Sequence, residues 1–135
     1  MHFVGHGSIE NVGTYLEIGK QAVNLRDPSD LELFRDIGRG ADGSWILLSC
    51  CDVGADGPTL RKLRHISGCA AVFAYQNVLH DYEAFVMDSL FYHLLLVPTP
   101  QHVTEDEMKL SLIRRRWGVA QRELFIEAQI RGSYQ

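Results

Sequence analysis

The sequence lacks most of the features that mark secreted, membrane-spanning or nucleic-acid-binding proteins. Its 135 residues include only three cysteines, and Cys50 and Cys51 are adjacent, which suits a disulfide framework poorly. Lys and Arg number 13 against 17 Asp and Glu, and the net charge of −4 argues against a general nucleic-acid binder. No apolar run approaches the ~20 residues of a membrane span, and the first residues do not resemble a secretory signal. We therefore expect a cytoplasmic protein with reduced thiols.

The composition favours one folded domain over residues 1–135. The chain is 46% hydrophobic and 22% charged, close to the average for globular chains. A chain of this length buries roughly two-thirds of its unfolded surface, so it needs neither a metal nor a disulfide to fold. We expect no cofactor and no metal.

Apolar periodicity predicts strands alternating with helices. Strands are predicted at residues 1–4, 15–18, 22–25, 45–50, 70–75 and about 124–132, with a turn at 19–20 joining the second and third. Helices are predicted at about 29–37, 58–67, 81–95 and 104–117, the first with Ser29 or Asp30 as its N-cap and Gly38 as its stop. The run from Trp45 to Cys50 is continuously apolar, as is typical of a strand buried on both faces. An α/β sandwich with a largely parallel sheet follows.

Two of the predicted strands end in reactive residues. The first runs into Gly5-His6-Gly7, and the strand from Trp45 ends at Cys50 and Cys51. Open α/β sheets carry their functional sites at the carboxyl ends of the strands. If these strands are neighbours, an imidazole and a thiol share one edge, and a neighbouring His promotes thiolate formation near neutral pH. The residues alone also allow a plain loop histidine and an inert buried thiol.

The segments that carry these residues resemble a known family. They are His2-Phe3-Val4-Gly5-His6-Gly7, Leu47-Leu48-Ser49-Cys50-Cys51-Asp52-Val53-Gly54 and the following Gly68-Cys69-Ala70-Ala71-Val72-Phe73-Ala74. Together they are similar to the CHAT group of caspase-like (clan CD) cysteine peptidases, and the resemblance spans nearly the whole chain. It implies a caspase-like three-layer α/β sandwich with a mostly parallel sheet, and hydrolysis of peptide bonds in protein substrates through an acyl-enzyme.

The resemblance also implies roles for individual residues. Cys51 would be the nucleophile and His6 the general base, and the backbone N–H groups of Gly7 and Cys51 would form the oxyanion hole. Cys50 stands where the family usually has a small residue such as Ala. Asp52 fits the family pattern beside the nucleophile. The substrate-binding candidates are Asp52, Gln76 and Asp81, the last two lying just beyond the next predicted strand.

One departure from the family bears on partners and on activity. Caspase-like folds normally carry further strand–helix units before the His strand, and this sequence begins at that strand, as is expected of a truncated domain, of a domain completed by a partner chain or of an inactive relative. An uncovered strand edge invites pairing with another chain, so we expect a homo-oligomer or a partner chain that completes the sheet. The same departure leaves a second function open, namely a catalytically inactive caspase-like domain that acts as a protein-interaction or signalling scaffold.

Two further patterns are not expected to be functional sites. Residues 38–43 match G-x-G-x-x-G, but they precede a strand, whereas a dinucleotide site needs that loop to follow one. Cys50, Cys51, His65 and Cys69 contain no C-x-x-C spacing, so a structural zinc is not expected.

Overall fold

The computed structural model describes residues 1–39, 44–78, 80–96 and 130–134. Contacts divide the chain into two compact units, Met1–Leu79 with Gln129–Gln135, and His80–Ala128. The described strands are β1 (His2–Val4), β2 (Gly7–Glu10), β3 (Gly13–Ile18), β4 (Gln21–Asn24), β5 (Trp45–Ser49), β6 (Ala71–Tyr75) and β7 (Ile130–Tyr134). The described helices are α1 (Pro28–Leu31), α2 (Gly57–Ser67) and α3 (Asp81–Leu96), with 3₁₀ turns at Glu32–Phe34 and Val53–Ala55.

The central sheet of the first unit has the order β1-β5-β6-β7. β1, β5 and β6 run parallel, and β7 is antiparallel to β6. On β5, Ile46, Leu47 and Leu48 are at most 2% exposed, and their side chains alternate between the two faces of the sheet. The predicted α/β class, the largely parallel sheet and the burial of this strand on both faces are confirmed.

A second, antiparallel sheet has the order β2-β3-β4. The predicted turn between β3 and β4 is confirmed, and Gly19 adopts a φ of 65° there. β2 was not predicted: Gly7 and Ser8 pair with Leu16 and Tyr15 of β3. The reason is that β2 presents only one large apolar side chain, so its strand character comes from pairing with β3.

The first helix differs from its prediction at both ends. Its N-cap is Asp27, whose side chain accepts a hydrogen bond from the Ser29 amide, so the prediction of Ser29 or Asp30 as the cap is wrong. The helix does not continue to residue 37, because Asp36 has a φ of 59° and its amide donates to the Ile66 carbonyl of α2. A tertiary contact therefore replaces the next helical hydrogen bond.

Helix α2 follows its sequence signals closely. It ends at Gly68, which has a φ of 69° and whose amide donates to the Arg64 carbonyl oxygen, as expected for a glycine stop. Its apolar face lies against β6 and β7. The core joins both sheets, α2 and the segment after β4; its larger members are Leu16, Val23, Leu25, Phe34, Ile46, Leu48, Leu60, Leu63 and Val72.

Two predicted elements cannot be compared in full. The helix at 104–117 and the part of the closing strand before residue 130 lie outside the described residues. Helix α3 occupies Asp81–Leu96, within one residue of the predicted bounds, and it belongs to the second unit.

Candidate active site

The strands that lead to the two reactive residues are parallel neighbours. Their last ladder pair is Val4 with Ser49, and the Gly5 amide then donates to the Ser49 carbonyl oxygen at 3.3 Å. If this register is continued for two residues beyond the Val4–Ser49 pair, His6 on one segment is level with Cys51 on the other. The predicted site requires the strands before His6 and Cys51 to be neighbours, and the structure confirms that they are.

The loops beyond these strands approach each other at Gly7. A Cβ atom at this position would lie 2.6 Å from Cγ2 of Val53, 2.8 Å from Cβ of Cys50 and 2.9 Å from the carbonyl oxygen of Cys51. Real Cβ atoms do not approach other heavy atoms this closely, so only glycine fits without moving a loop. The residue next to His6 thus packs directly on the segment that contains Cys51.

Cys51 opens a tight turn that ends β5. The Val53 amide donates to the Cys51 carbonyl oxygen at 2.7 Å, and Asp52 between them has a φ of 60° and a ψ of −21°. Asp tolerates this left-handed conformation better than most residues, because its short polar side chain bonds locally. The turn holds Cys51 at the carboxyl end of the strand, half-buried rather than inside a continuing strand.

The end of β6 supports the same turn from the other side. A Cβ at Gly54 would overlap the carbonyl oxygen of Ala74 and lie 2.5 Å from that of Tyr75. The Asp52 amide also points to the Asn77 carbonyl oxygen at 3.4 Å. The Cys51 segment is therefore held between the His6 loop and the end of β6, and Gly54 is required for the second of these contacts.

The adjacent thiols differ in accessibility. Cys50 is 5% exposed and belongs to the hydrophobic core, whereas Cys51 is half-buried and His6 is exposed. All three cysteines lie in the described part of the chain, and all are thiols rather than disulfides. Of the adjacent pair, Cys51 is the more accessible to solvent.

The predicted substrate-binding residues fall into two groups. Asp52 and Gln76 are half-buried and follow β5 and β6, so they lie at the carboxyl end of the parallel sheet, as Cys51 does. Asp81 is the exposed first residue of α3 and belongs to the other compact unit. Asp52 and Gln76 thus lie at the end of the sheet that carries Cys51, and Asp81 belongs to the second unit.

Sequence reasoning missed a carboxylate that links the three-stranded sheet to the start of α2. Asp56 accepts hydrogen bonds from the Thr14 hydroxyl at 2.6 Å and from Nε of Arg26 at 2.8 Å. It also accepts from the hydroxyl and the amide of Thr59, at 2.7 and 3.1 Å, and so caps α2. The local signal was an acidic residue just before Gly57-Pro58. Its distant partners left no such signal.

The environment of Asp56 favours the ionised carboxylate. Burial alone would raise its pKa, but the hydrogen bonds from Thr14, Thr59 and Arg26 outweigh that effect and hold the pKa well below its ordinary value. Its side chain is 9% exposed, against 37% for the Arg26 side chain. The Asp56 carboxylate therefore has a structural role, and Thr14, Thr59 and Arg26 donate its hydrogen bonds.

The outer face of the three-stranded sheet, also missed from the sequence, forms an open cleft beside His6. The cleft has a volume of about 350 Å³ and is lined by His6, Gly7, Ser8, Glu10, Tyr15, Glu17 and Ala22. Three of them, Tyr15, Glu17 and Ala22, alternate along β3 and β4 with buried residues, so these three share the solvent side of the sheet. Alternation of exposed and buried side chains could have indicated this face from the sequence, but β2 is too short to show it.

Comparisons with protein-family models and with curated proteins give no match for this chain. Among residues 1–39, 44–78, 80–96 and 130–134, no helix has the length and apolar character to cross a bilayer. Over the same residues, no three His, Cys, Asp or Glu side chains come together in a way that could hold a metal ion.

Proposed function

We propose that this protein is a caspase-like cysteine endopeptidase of the CHAT type, with Cys51 as nucleophile and His6 as general base. The observation that carries the proposal is the packing of Gly7 on the Cys50-Cys51 segment, at the carboxyl ends of two adjacent parallel strands. The accessible thiol of Cys51 and the exposed imidazole of His6 lie on neighbouring segments, and Val53, Cys50 and the Cys51 carbonyl oxygen limit how closely these segments approach. A thiol and an imidazole on adjacent segments are the groups that nucleophilic catalysis by a thiol requires.

The reaction follows from these residues. The His6 imidazole accepts the proton of the Cys51 thiol, and the thiolate sulfur attacks the carbonyl carbon of a peptide bond. The oxyanion that forms accepts hydrogen bonds from the amides of Gly7 and Cys51. The C–N bond then breaks, and the leaving amine takes the proton from His6. A water molecule, deprotonated by His6, hydrolyses the resulting thioester and releases the acid.

The proposed site includes groups near the nucleophile that contact substrate. Asp52 and Gln76 follow β5 and β6 at the carboxyl end of the parallel sheet, and this position supports a role for them in contacting a bound peptide. The three-layer caspase-like arrangement and the oxyanion role of Gly7 belong to the same proposal. No cofactor takes part in this chemistry.

A partner chain is part of the proposal. β1 is the edge strand of the four-stranded sheet in the described part of the protein, and Val4 on it is 74% exposed. A second copy of the chain or a different protein pairs with this edge and covers it. Light scattering at several concentrations tests self-association: a mass of 15.3 kDa at every concentration, in the purified protein, contradicts pairing between copies.

The test of the catalytic pair is covalent labelling by a limiting peptidyl electrophile, followed by intact-mass measurement. Wild type is expected to take up one label at Cys51, so that Cys51→Ala loses labelling while Cys50→Ala keeps it. His6→Ala is expected to slow the labelling at least ten-fold near neutral pH, because the thiol loses its base.

The matched control is His65→Ala, which removes an exposed histidine on α2 and is expected to leave the labelling rate unchanged. Labelling that is slow in wild type and equal in His6→Ala contradicts the peptidase. That outcome favours the second candidate, an inactive caspase-like scaffold, for which the exposed β1 edge is the supporting observation.

A further inference from the structure

Helix α2 carries a group of basic side chains on its outer side. Arg61 and Lys62 are exposed, and Arg64 is half-buried. The buried residues Leu60 and Ser67 lie four positions before Arg64 and three after it, so Arg64 stands at the border of the buried face. The helix contains no Asp or Glu. We call Arg61, Lys62 and Arg64 the basic face of α2.

Within the described part of the chain, the basic face has no anionic partner. None of its three side chains takes part in an ion pair or a side-chain hydrogen bond. Two acids do approach α2: Asp56 caps its start, and the Asp36 amide donates to the Ile66 carbonyl oxygen near its end. Both carboxylates, however, are paired elsewhere, Asp56 with Arg26 at 2.8 Å and Asp36 with Arg39 at 3.0 Å. The charge of the basic face is therefore not offset locally.

The Nε atom of Arg64 is a second, independent indication of a ligand. It is buried, and it has no hydrogen-bond partner among the described residues. A buried donor without an acceptor costs free energy, and this cost is removed when the flexible side chain turns outward to meet an anion. A guanidinium is always charged, and it binds a carboxylate with Nε and a terminal nitrogen together. Arg64 is thus suited to an acidic group from another molecule.

The surroundings of the basic face indicate a protein ligand. The net charge of −4 opposes the approach of a nucleic acid. None of the large apolar side chains exposed in the described residues lies on α2, whereas a helix that binds a membrane surface needs them. Arg61 and Arg64 are helix neighbours at about 5–6 Å between Cβ atoms. That spacing is close to the about 6.6 Å between alternate side chains of an extended peptide.

From these observations we infer that the basic face of α2 is a docking site for an acidic peptide segment of a protein partner, with Asp or Glu at alternate positions. The helix returns the chain from the carboxyl end of β5 to the amino end of β6, which is parallel to it. The last turns of α2 therefore lie away from the end of the sheet that carries Cys51. The docking site is separate from the proposed catalytic pair and does not rest on the proposed function.

The test is peptide binding by the full chain, measured by fluorescence anisotropy. The probes are two labelled hexapeptides, one that alternates Glu with Ser and one that alternates Gln with Ser. The acidic probe is expected to bind roughly five-fold more tightly at low salt, and this preference is expected to fall at about 0.5 M salt. Amide shifts in an NMR spectrum are expected to be centred on α2.

Charge-neutral variants identify the groups responsible. Arg61→Gln and Lys62→Gln are each expected to weaken binding of the acidic probe about two-fold, Arg64→Gln about four-fold, and the triple variant about ten-fold. Arg64→Lys keeps the charge but removes Nε, so its Kd is expected to lie between those of wild type and Arg64→Gln. The matched control is Lys20→Gln, which neutralises an exposed cation at the turn between β3 and β4 and is expected to leave the Kd unchanged.

Urea denaturation separates docking from a structural role of the same side chains. Because none of the three is bonded within the described chain, the triple variant is expected to unfold at the wild-type urea midpoint. A midpoint that falls together with the affinity would overturn the inference. So would equal binding of the two probes, or a triple variant that binds the acidic probe as wild type does.

Two further probes test the class of partner. A single-stranded oligonucleotide and vesicles of anionic lipid are each expected to bind more weakly than the acidic hexapeptide, and tighter binding of either would overturn the assignment to a protein segment. Labelling of Cys51 by the peptidyl electrophile is expected to proceed at the wild-type rate in the triple variant. Failure of the docking site and failure of the peptidase are therefore distinguishable.

Discussion

On the inner side of the three-stranded sheet, the Asp56 carboxylate accepts hydrogen bonds from Thr14, Thr59 and Arg26, and Gly7 packs against the Cys51 segment without space for a methyl group. On the outer side of the same sheet, Glu10 and Glu17 stand exposed around an open cleft. The inner side joins the two sheets, whereas the outer side is available to a ligand. The carboxylate on the inner side therefore supports the fold, whereas those on the outer side face an open cleft.

Gly7→Ala is expected to have the largest effect on the inner side. Its new methyl group would lie within 3 Å of Val53, Cys50 and the Cys51 carbonyl oxygen, so the loops must separate. We expect the free energy of unfolding to fall by about 2–3 kcal/mol, as for overpacked cores. Labelling of Cys51 is expected to slow at the same time.

Chemical denaturation measures the loss of stability, and the electrophile assay measures the labelling. The matched control is Ala55→Ser, an exposed substitution in the same loop, which is expected to change neither quantity. An unfolding free energy within 0.5 kcal/mol of wild type for Gly7→Ala would show that the two loops do not constrain each other.

Asp56→Ala is expected to have the next largest effect, a loss of about 2 kcal/mol in the free energy of unfolding. It removes the N-cap of α2 and leaves the nearly buried hydroxyls of Thr14 and Thr59 without their acceptor. Asp56→Asn keeps a capping oxygen and is expected to cost about half as much. Urea denaturation is expected to show a larger loss in the free energy of unfolding for Asp56→Ala than for Asp56→Asn. Equal losses would contradict the capping role.

Acid is expected to weaken the protein through Asp56, with a smaller effect. The pKa of this carboxyl is lowered in the folded state, so its contribution is complete above the unfolded pKa of about 4 and is lost as pH falls towards the folded pKa. One such group changes stability by at most about 1.4 kcal/mol per pH unit. Urea midpoints between pH 5 and 2.5 should fall less steeply in Asp56→Asn than in wild type.

Some acid dependence is expected to remain in Asp56→Asn. The pKa of Asp27 is lowered by hydrogen bonds from Ser29, and that of Glu32 by its hydrogen bonds from Arg35. Both groups are exposed, so their contribution is small. Parallel pH profiles for wild type and Asp56→Asn would contradict the assignment to Asp56.

Glu10→Gln and Glu17→Gln are expected to have the smallest effect on stability, within about 0.5 kcal/mol of wild type. No hydrogen bond or ion pair of these side chains is present in the described residues, so their removal leaves the fold unchanged. A loss as large as that of Asp56→Ala would show that the outer carboxylates also support the fold, and the contrast between the two faces would fail. Thermal unfolding of the three variants side by side makes the comparison.

The elements that could be predicted from the sequence are those with strong local signals. β5 is a continuous apolar run, α2 lies between Pro58 and Gly68, and the turn between β3 and β4 contains Gly19. β2 lacks such a signal, since its residues become a strand only by pairing with β3. The first helix was predicted too long, because the Asp36 amide bonds to Ile66, a residue distant in sequence.

The candidate site likewise contains residues with a local sequence signal and residues without one. His6 and Cys51 were identifiable because a reactive side chain follows each predicted strand, but their proximity depends on β1 and β5 being neighbours. Asp56 could have been suspected as a helix cap, whereas its bonds to Thr14 and Arg26 span 42 and 30 residues. The Glu10–Glu17 cleft required the register of a strand that was not predicted.

By itself, the sequence determined the alternation of strands and helices, because apolar periodicity and Gly or Pro boundaries act within a few residues. It also determined which side chains have the chemistry of a thiol and a base. Only the tertiary structure decided which strands are neighbours, which carboxylate is enclosed by donors and which ones face an open cleft. Those outcomes depend on hydrogen bonds and steric contacts between residues far apart in the chain, and local propensity does not encode such contacts.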